Sequence, residues 1–295
     1  MAARVPFAPE PLPVPVVDNH AHLDIARHGE EGMPVTGALA AARAVGVDRV
    51  VQVACDLESI AGLPTLLDAH PCVLGAVALH PNDAARLAAC GQLAAAYAAV
   101  ESALADPRVR AVGETGLDYF RTDEQGRPAQ EESFRWHIDL AKRTGRALQI
   151  HDRDAHDDVL RILAEERAPQ RTVLHCFSGD AAMARESVER GYFLSYAGTV
   201  TFKNAEGLRE ALRLTPLEQV LVETDAPYLA PHPWRGATNA PWLLPLTVRV
   251  IAEVLGRDLA EVCEVISRTS ERVYGGWPVP AGADETDVTR GASGM

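Results

Sequence analysis

The sequence has 295 residues, of which 47% are hydrophobic and 23% are charged, and its formal net charge is −13. This composition is typical of a globular protein with a large core. The negative charge excludes broad, nonspecific binding to duplex nucleic acid, because such binding needs a basic face, but it allows a small site in which bound cations offset carboxylates.

The chain shows no signal for a membrane or for secretion. No apolar stretch approaches the roughly 20 residues needed to cross a bilayer. The segment from Met1 to Pro15 lacks an apolar core and a small-residue cleavage site. The cysteines are scattered and form no CxxC pair, which indicates small buried hydrophobes in a reducing compartment, Cys176 included. We therefore expect a cytoplasmic protein without membrane contact.

Short apolar runs alternate with amphipathic helical stretches along the chain. Runs such as Val50-Val51-Gln52-Val53 are typical of parallel strands that are buried on both faces. The predicted strands are residues 14–18, 49–54, 73–78, 109–113, 147–150, 172–174, 192–195 and 220–222. The predicted helices are residues 36–45, 92–104, 130–144, 156–165, 181–189, 242–255 and 259–272.

This alternation indicates right-handed βαβ units and therefore an α/β fold. Eight such units predict a single (β/α)8 TIM barrel, and no linker-like composition interrupts them. We predict one barrel domain at residues 14–277, a flexible N-terminal tail at residues 1–13 and a flexible C-terminal tail at residues 278–295. Reactive groups in such a barrel lie at the C-terminal ends of the strands, so those ends are where chemistry is expected.

The first predicted strand leads into the run His20-Ala21-His22. Side chains two residues apart on a strand face the same way, so both imidazoles are expected to project into the barrel mouth. Two imidazoles on one face suit a divalent metal ion. The alternative is two incidental polar residues in a loop.

The third and fourth predicted strands end at His80 and Glu114. His80 could bind a metal, contact substrate or cap the turn. A carboxylate that emerges from an apolar strand is costly to bury unless it is paired or metal-bound. Glu114 could therefore bridge two metals through its two oxygens, or form an ion pair with Arg153. Gly113 and Gly116 on either side of it allow close backbone approach.

Three further strands deliver potential ligands. His151 and His175 end the fifth and sixth, and Glu223 and Asp225 follow the eighth, where one could ligate a metal while the other orients a neighbour. Each histidine alone is more often a core residue than a ligand. Histidines or acids at the ends of five strands that converge on one mouth, however, together predict a metal site.

These residues lie in segments that resemble the TatD family of metal-dependent deoxyribonucleases, within the amidohydrolase-like barrel superfamily. The resemblance covers residues 16–274. The segments that carry it are Asp18-Asn19-His20-Ala21-His22-Leu23-Asp24, Leu79-His80-Pro81, Gly113-Glu114-Thr115-Gly116-Leu117-Asp118-Tyr119, His151-Asp152-Arg153-Asp154-Ala155, His175-Cys176-Phe177-Ser178-Gly179, Glu223-Thr224-Asp225-Ala226-Pro227-Tyr228-Leu229-Ala230-Pro231, and Arg235-Gly236 with Asn239 and Pro241.

The resemblance implies two divalent metal ions. One would be held by His20, His22 and Asp225, the other by His151 and His175, and the sixth ligand, Glu114, would bridge them. It also implies hydrolysis of DNA phosphodiester bonds at single-stranded or frayed ends, in the manner of a 3′–5′ exonuclease, with Mg²⁺. By ligand softness, four histidines and two carboxylates also suit Zn²⁺ or Mn²⁺.

In the mechanism that follows from these roles, Glu114 would hold both cations, and the cations would supply activation of a shared water. Asp225 steers that water or takes its proton. His80 contacts the scissile phosphate or protonates the leaving group. Arg153 and Arg235 could bind substrate phosphates bidentately, or could instead pair with a carboxylate.

Aromatic residues are expected in the mouth loops. Tyr119 and Tyr228, with Phe120, Phe202 and Trp234, could stack on unpaired bases or simply pack the loops. The same metal site could instead hydrolyse a small ester, lactone, amide or aminoacyl-tRNA ester, because the loops choose the substrate. A non-catalytic metal-binding scaffold is the remaining alternative. We expect a monomer or a weak oligomer.

Overall fold

The computed structural model describes residues 6–26 and 33–277. Eight parallel strands lie in chain order, each hydrogen-bonded to the next. The first and eighth strands meet at their C-terminal ends, where the Asp225 N–H donates to the His20 carbonyl (2.9 Å) and the His22 N–H donates to the Ala226 carbonyl (2.8 Å). The described chain is thus a nearly closed (β/α)8 barrel, which confirms the predicted fold class.

The strands largely follow the predicted positions. They are β1 (Val16–Ala21), β2 (Val47–Ala54), β3 (Val73–Val77), β4 (Val109–Asp118), β5 (Ala147–Arg153), β6 (Thr172–Leu174), β7 (Phe193–Tyr196) and β8 (Val220–Val222). The predictions for β4 and β5 were too short, because these strands stay paired as far as Asp118 and Arg153. The added residues include polar side chains, which are buried in β4 and half-buried in β5 and which an apolar pattern cannot reveal.

Helices connect the strands. They are α1 (Val35–Ala44), α2 (Leu57–Ala69), α3 (Pro81–Ala89), α4 (Leu93–Ala103), α5 (Arg127–Thr144), α6 (His156–Glu165), α7 (Ala181–Glu189), α8 (Glu206–Leu214), α9 (Leu244–Leu255) and α10 (Leu259–Tyr274). Short 3-10 helices lie at Gly198–Thr201, Leu217–Gln219 and Pro241–Leu243. Sequence analysis did not predict α2, α3 or α8. Pro64 lies inside α2, where the pattern argues against a helix, although Asp56 caps its start by accepting the Ser59 N–H at 2.8 Å.

The core has two parts. The larger part lies between the strands and the surrounding helices. The smaller part fills the barrel interior, where Val51, Leu74 and Phe193 pack with Tyr274 at the end of α10. Tyr274 is 1% exposed, and its hydroxyl accepts a hydrogen bond from Gln149 Nε2 at 2.7 Å. We call this plugged N-terminal end the barrel floor, and the opposite end the mouth.

The predicted tails are only partly described. Residues 1–5 and 278–295 lie outside the described residues. Within residues 6–13, Leu12 is buried and its N–H donates to the Val45 carbonyl at 3.0 Å. Arg249 also donates to the carbonyls of Glu10 and Pro11. The domain limits stay a prediction. In the described part of the chain, no helix is long and apolar enough to cross a membrane.

Candidate metal centre

The six side chains predicted as ligands come together at the mouth. His20 lies in β1 and His22 directly follows it, Glu114 lies in β4 and His151 in β5. The other two, His175 and Asp225, follow β6 and β8. Parallel strands that close into a barrel place all these ends in one ring, so residues far apart in the sequence become neighbours.

Glu114 lies between two pairs of histidines. Its Oε1 is 3.4 Å from His22 Nε2 and 3.8 Å from His20 Nε2. Its Oε2 is 2.9 Å from His175 Nε2 and 3.2 Å from His151 Nδ1. The two oxygens of one buried carboxylate therefore face two different sets of nitrogen donors.

The backbone of β4 brings Glu114 this close to β5. A Cβ atom at Gly113 would collide with the side chain of Gln149, and one at Gly116 would collide with the His151 carbonyl. Gly116 also has a φ of 141°, which favours glycine. The two glycines that flank Glu114 are thus required for the approach that the sequence suggested.

Asp225 lies on the side of His20 and His22. Its Oδ1 is 3.9 Å from His20 Nε2 and 3.7 Å from His22 Nε2. Its φ is 54°, in the left-handed region that few residues other than glycine adopt. The preceding Thr224 anchors this turn, because its N–H and hydroxyl both donate to the buried carboxylate of Asp18, at 2.9 and 2.5 Å.

Two histidines are oriented from behind. His22 Nδ1–H donates to the Val53 carbonyl at 3.0 Å, and His175 Nδ1–H donates to Glu223 Oε1 at 3.0 Å. Each bond leaves the Nε2 atom directed towards Glu114. Partners of this kind fix the tautomer of a metal-binding histidine. Glu223 therefore orients a neighbour, as one of the two sequence alternatives expected, while Asp225 faces the centre.

His20 provides the test of whether a cation fits. The ring is fully buried and stacks on His175 at 3.8 Å between centroids. Neither of its nitrogens has a hydrogen-bond partner among the described residues. Burial lowers its pKa to about 4, so the imidazole is neutral and its lone pair is free. An unsatisfied buried polar group is costly, and a cation would satisfy it. The donor set of imidazoles and carboxylates thus fits divalent metal ions.

The charges of the site are strongly coupled. Burial alone would raise the pKa of Glu114, but His175 and His151 hold that pKa well below its usual range. For Asp225, burial prevails and raises the pKa to about 7. Burial alone would lower the pKa of His22, but the nearby Glu114 carboxylate raises that pKa to about 9. Cation binding must therefore displace protons, which couples metal affinity to pH.

His80 lies beside the six ligands. Its Nδ1 accepts the Asn82 N–H at 3.2 Å and so caps α3, which was one of the three alternatives for this residue. Its ring contacts His151 at 4.6 Å between centroids. Burial lowers its pKa to about 4. His80 is therefore neutral, with its proton on Nε2.

Sequence analysis missed two residues at this centre. Asp118 groups with His80 and His151, and Cys55 groups with His22 and Glu114; in each group the potential ligand atoms lie within 4.8 Å of one another. Asp118 was missed because the predicted fourth strand stopped short of it. Four residues after Glu114 on a continuous strand, it would have been placed on the same face. Cys55 has no spacing signal that could have found it.

The predicted substrate-binding arginines stack on aromatic rings. The Arg153 guanidinium lies 4.0 Å from the centroid of the Phe120 ring, and that of Arg235 lies 4.7 Å from the centroid of Phe202. The alternative ion pair between Arg153 and Glu114 does not form. Phe120 is 63% exposed, so this pair presents a cation and a flat ring to solvent.

The predicted aromatic contacts differ from one another. Tyr228 is 46% exposed and its ring meets the His22 ring edge-on at 6.2 Å. Tyr119 is held on two sides, because its hydroxyl donates to Asp158 Oδ2 at 2.8 Å and Arg127 covers its ring at 4.2 Å. Trp234 is buried and packs loops. Tyr228 is thus the tyrosine whose ring is more available next to the centre.

Comparison with known proteins agrees with this geometry. Residues 17–275 match the family model described as "TatD related DNase". A Mycobacterium tuberculosis protein named "Uncharacterized metal-dependent hydrolase TatD" is 49% identical over 267 residues, which cover 89% of this chain and 99% of that protein. The Escherichia coli K12 protein YcfH, also named a metal-dependent hydrolase, is 35% identical over 88% of this chain and 95% of its own.

A solved structure gives the same result. The E. coli TatD homologue YjjV superposes with a TM-score of 0.78 and 26% sequence identity, covering 88% of this chain and 98% of its own. The family match spans nearly all described residues and includes all six side chains at the mouth. The chain therefore belongs to the TatD family of metal-dependent hydrolases.

Proposed function

We propose that this protein is a deoxyribonuclease that hydrolyses phosphodiester bonds at single-stranded or frayed DNA ends, in the manner of a 3′–5′ exonuclease, with two divalent cations. The observation that carries the proposal is the placement of Glu114, whose two oxygens each face a separate pair of histidines. A carboxylate so placed suits a bridge between two cations. Sites with two metals are typical of enzymes that cleave phosphodiesters.

The roles of the ligands follow from their neighbours. His20, His22 and Asp225 would hold one cation, His151 and His175 the other, and Glu114 both. When bound, such cations lower the pKa of a water molecule and neutralise phosphate oxygens. Glu223 keeps the Nε2 atom of His175 directed inward, and the Val53 carbonyl does the same for His22.

Proton transfer would fall to Asp225, while His80 would supply a hydrogen bond. Asp225 faces the centre from the side of His20 and His22, so a carboxylate oxygen there could take a proton from the attacking water. His80 accepts the Asn82 N–H at Nδ1, so its Nε2–H can donate to a phosphate oxygen or to the leaving group. In its neutral form it acts as a hydrogen-bond donor.

The mouth loops are suited to binding a single strand of DNA. Arg153 on Phe120 and Arg235 on Phe202 combine a phosphate-binding guanidinium with an aromatic ring. Arginine binds phosphate bidentately, and bases stack on exposed rings such as Tyr228. The net charge of −13 opposes extended duplex binding, so a few contacts at a strand end are favoured.

The test is cleavage of end-labelled single-stranded and duplex DNA after chelation and resupply with Mg²⁺, Mn²⁺ or Zn²⁺. We expect loss of nucleotides one at a time from single strands, at a rate that Asp225→Asn lowers by about 10²–10⁴-fold. Asp139→Asn, a change at an exposed residue of α5, is the matched control and keeps the wild-type rate. Metal-loaded protein that leaves DNA intact but hydrolyses small esters would overturn the proposal.

A further inference from the structure

One thiol lies among the metal ligands. Cys55 directly follows β2, is 9% exposed and forms no disulfide. Its sulfur, a ring nitrogen of His22 and a carboxylate oxygen of Glu114 all lie within 4.8 Å of one another. The two partners are the nitrogen and oxygen donors of the centre itself, so the thiol belongs to the same cluster and is not an isolated cysteine.

The backbone holds Cys55 in this position. Its carbonyl accepts the His80 N–H at 2.9 Å, and the next residue, Asp56, caps α2. The facing His22 is held by its bond to the Val53 carbonyl, which turns Nε2 towards Glu114. The Cys55 backbone and the His22 ring are therefore held in place before any cation binds.

We propose that the Cys55 thiolate is a further ligand of the cation held by His22 and Glu114, and that this sulfur makes the site favour Zn²⁺ over Mg²⁺. The proposal rests on the metal-ligand roles proposed above, but not on DNA being the substrate. Thiolate is a soft ligand that selects Zn²⁺, whereas Mg²⁺ prefers oxygen ligands. When the sulfur binds the cation, the S–H bond breaks and the proton leaves to solvent.

A second cysteine provides the matched control. Cys176 follows His175 and is also a free thiol near the mouth. Its backbone N–H donates to Glu223 at 2.7 Å. Among the described residues, its sulfur joins none of the groups that could hold a cation. Cys176→Ser therefore makes the same chemical change beside the centre without removing the proposed ligand.

The first experiment follows Co²⁺ binding to the chelator-treated full chain in the absence of oxygen. A near-ultraviolet thiolate-to-Co²⁺ charge-transfer band is expected in the wild type and in Cys176→Ser, and is lost in Cys55→Ser. The visible absorption of bound Co²⁺ is expected in all three. A band that survives in Cys55→Ser, or that is absent from the wild type, overturns the thiolate ligand while the metal centre stands. Failure of the wild type to bind Co²⁺ at all overturns the metal-ligand roles as well.

The second experiment needs no variant. X-ray absorption at the zinc edge of the Zn²⁺-loaded wild type should show a sulfur neighbour at about 2.3 Å. A shell of nitrogen and oxygen atoms only overturns the proposal.

Competition titrations then test the preference, because the ratio of Zn²⁺ to Mg²⁺ affinity should fall by about tenfold or more in Cys55→Ser and stay unchanged in Cys176→Ser.

Discussion

The floor and the mouth of the barrel are built from the same eight strands but differ in the groups that they bury. At the floor, Val51 and Leu74 pack against Tyr274, and the polar contact between Tyr274 and Gln149 joins two neutral groups. At the mouth, a buried carboxylate, Glu114, faces four imidazoles, and the buried ring of His20 has no hydrogen-bond partner in the described part of the chain.

The difference separates stability from chemistry. Neutral, largely apolar groups at the floor stabilise the fold, whereas buried titratable groups at the mouth cost stability unless a cation binds. Asp225, which is also at the mouth, has a left-handed backbone conformation. Strained conformations of this kind concentrate at functional sites. Substitutions at the two ends should therefore act on different measured quantities.

The largest effect is expected for Glu114→Gln, which removes the charge between the two histidine pairs. We expect hydrolysis to slow on the order of 10⁴-fold, which corresponds to about 5 kcal/mol of transition-state stabilisation. Rates of metal-supplemented hydrolysis measure this, with far-ultraviolet circular dichroism to verify folding. A folded variant that retains a rate within tenfold of wild type would break the assignment of chemistry to the mouth.

Substitutions at the floor should change the free energy of unfolding. Tyr274→Ala removes a buried ring, and its free energy of unfolding should fall by about 3–5 kcal/mol in denaturant titrations. Tyr274→Phe removes only the hydroxyl bonded to Gln149 and should lower it by about 1 kcal/mol. Both proteins should bind metal as tightly as wild type. A folded Tyr274→Ala protein with lost metal affinity would show that the two ends are coupled.

The pH dependence of stability offers a third comparison. His137 in α5 accepts the Leu79 N–H at Nε2 and donates from Nδ1 to the Ser133 carbonyl, and burial lowers its pKa from 6.5 to about 4. Because the unfolded chain takes up this proton first, the stabilisation is present above pH 6.5 and is lost as the pH falls towards 4. The contribution is about 3 kcal/mol.

Denaturant titrations at several pH values measure this effect. Between pH 6.5 and 4, the free energy of unfolding of His137→Gln should decline by about 3 kcal/mol less than that of wild type. Parallel declines of the two proteins would contradict a buried neutral His137. Because this histidine lies outside the metal centre, added cation should leave the difference unchanged.

The smallest effect is expected at Glu223, which orients His175 from behind. Glu223→Gln keeps a hydrogen-bond acceptor but removes the charge, so metal affinity should weaken by about 10–100-fold. Calorimetric titration with Zn²⁺ or Mn²⁺ measures the change. The exposed Glu218→Gln serves as control. Equal affinities of the two variants would mean that the carboxylate behind His175 does not tune the site.

The sequence predicted the parts of the fold that depend on local pattern. The runs at β6 and β8 and the amphipathic stretches at α6 and α7 were located to the residue. The pattern failed where tertiary contacts decide: β4 continues beyond Gly113 because β5 pairs with it, although its side chains there are polar. Similarly, α2 forms around Pro64, which a local pattern reads as a break.

The candidate site shows the same division. The convergence of the six proposed metal ligands was predictable because parallel strands bring their C-terminal ends together whatever the loops do. Contacts between separate elements were not predictable. Tyr119 is held by Asp158 in α6 and by Arg127 at the start of α5, and both contacts depend on how these helices pack beside the mouth. Cys55 was unpredictable for a different reason, since a single cysteine carries no spacing from which its neighbours can be inferred.

The central claim is that Glu114 joins two cation sites at the mouth. Anomalous diffraction from crystals grown with Zn²⁺ or Mn²⁺ tests it most directly. The account predicts two peaks, one beside Glu114 Oε1 among His20, His22 and Asp225, and one beside Oε2 between His151 and His175. A metal-loaded protein with a single peak, or with peaks away from Glu114, would contradict it.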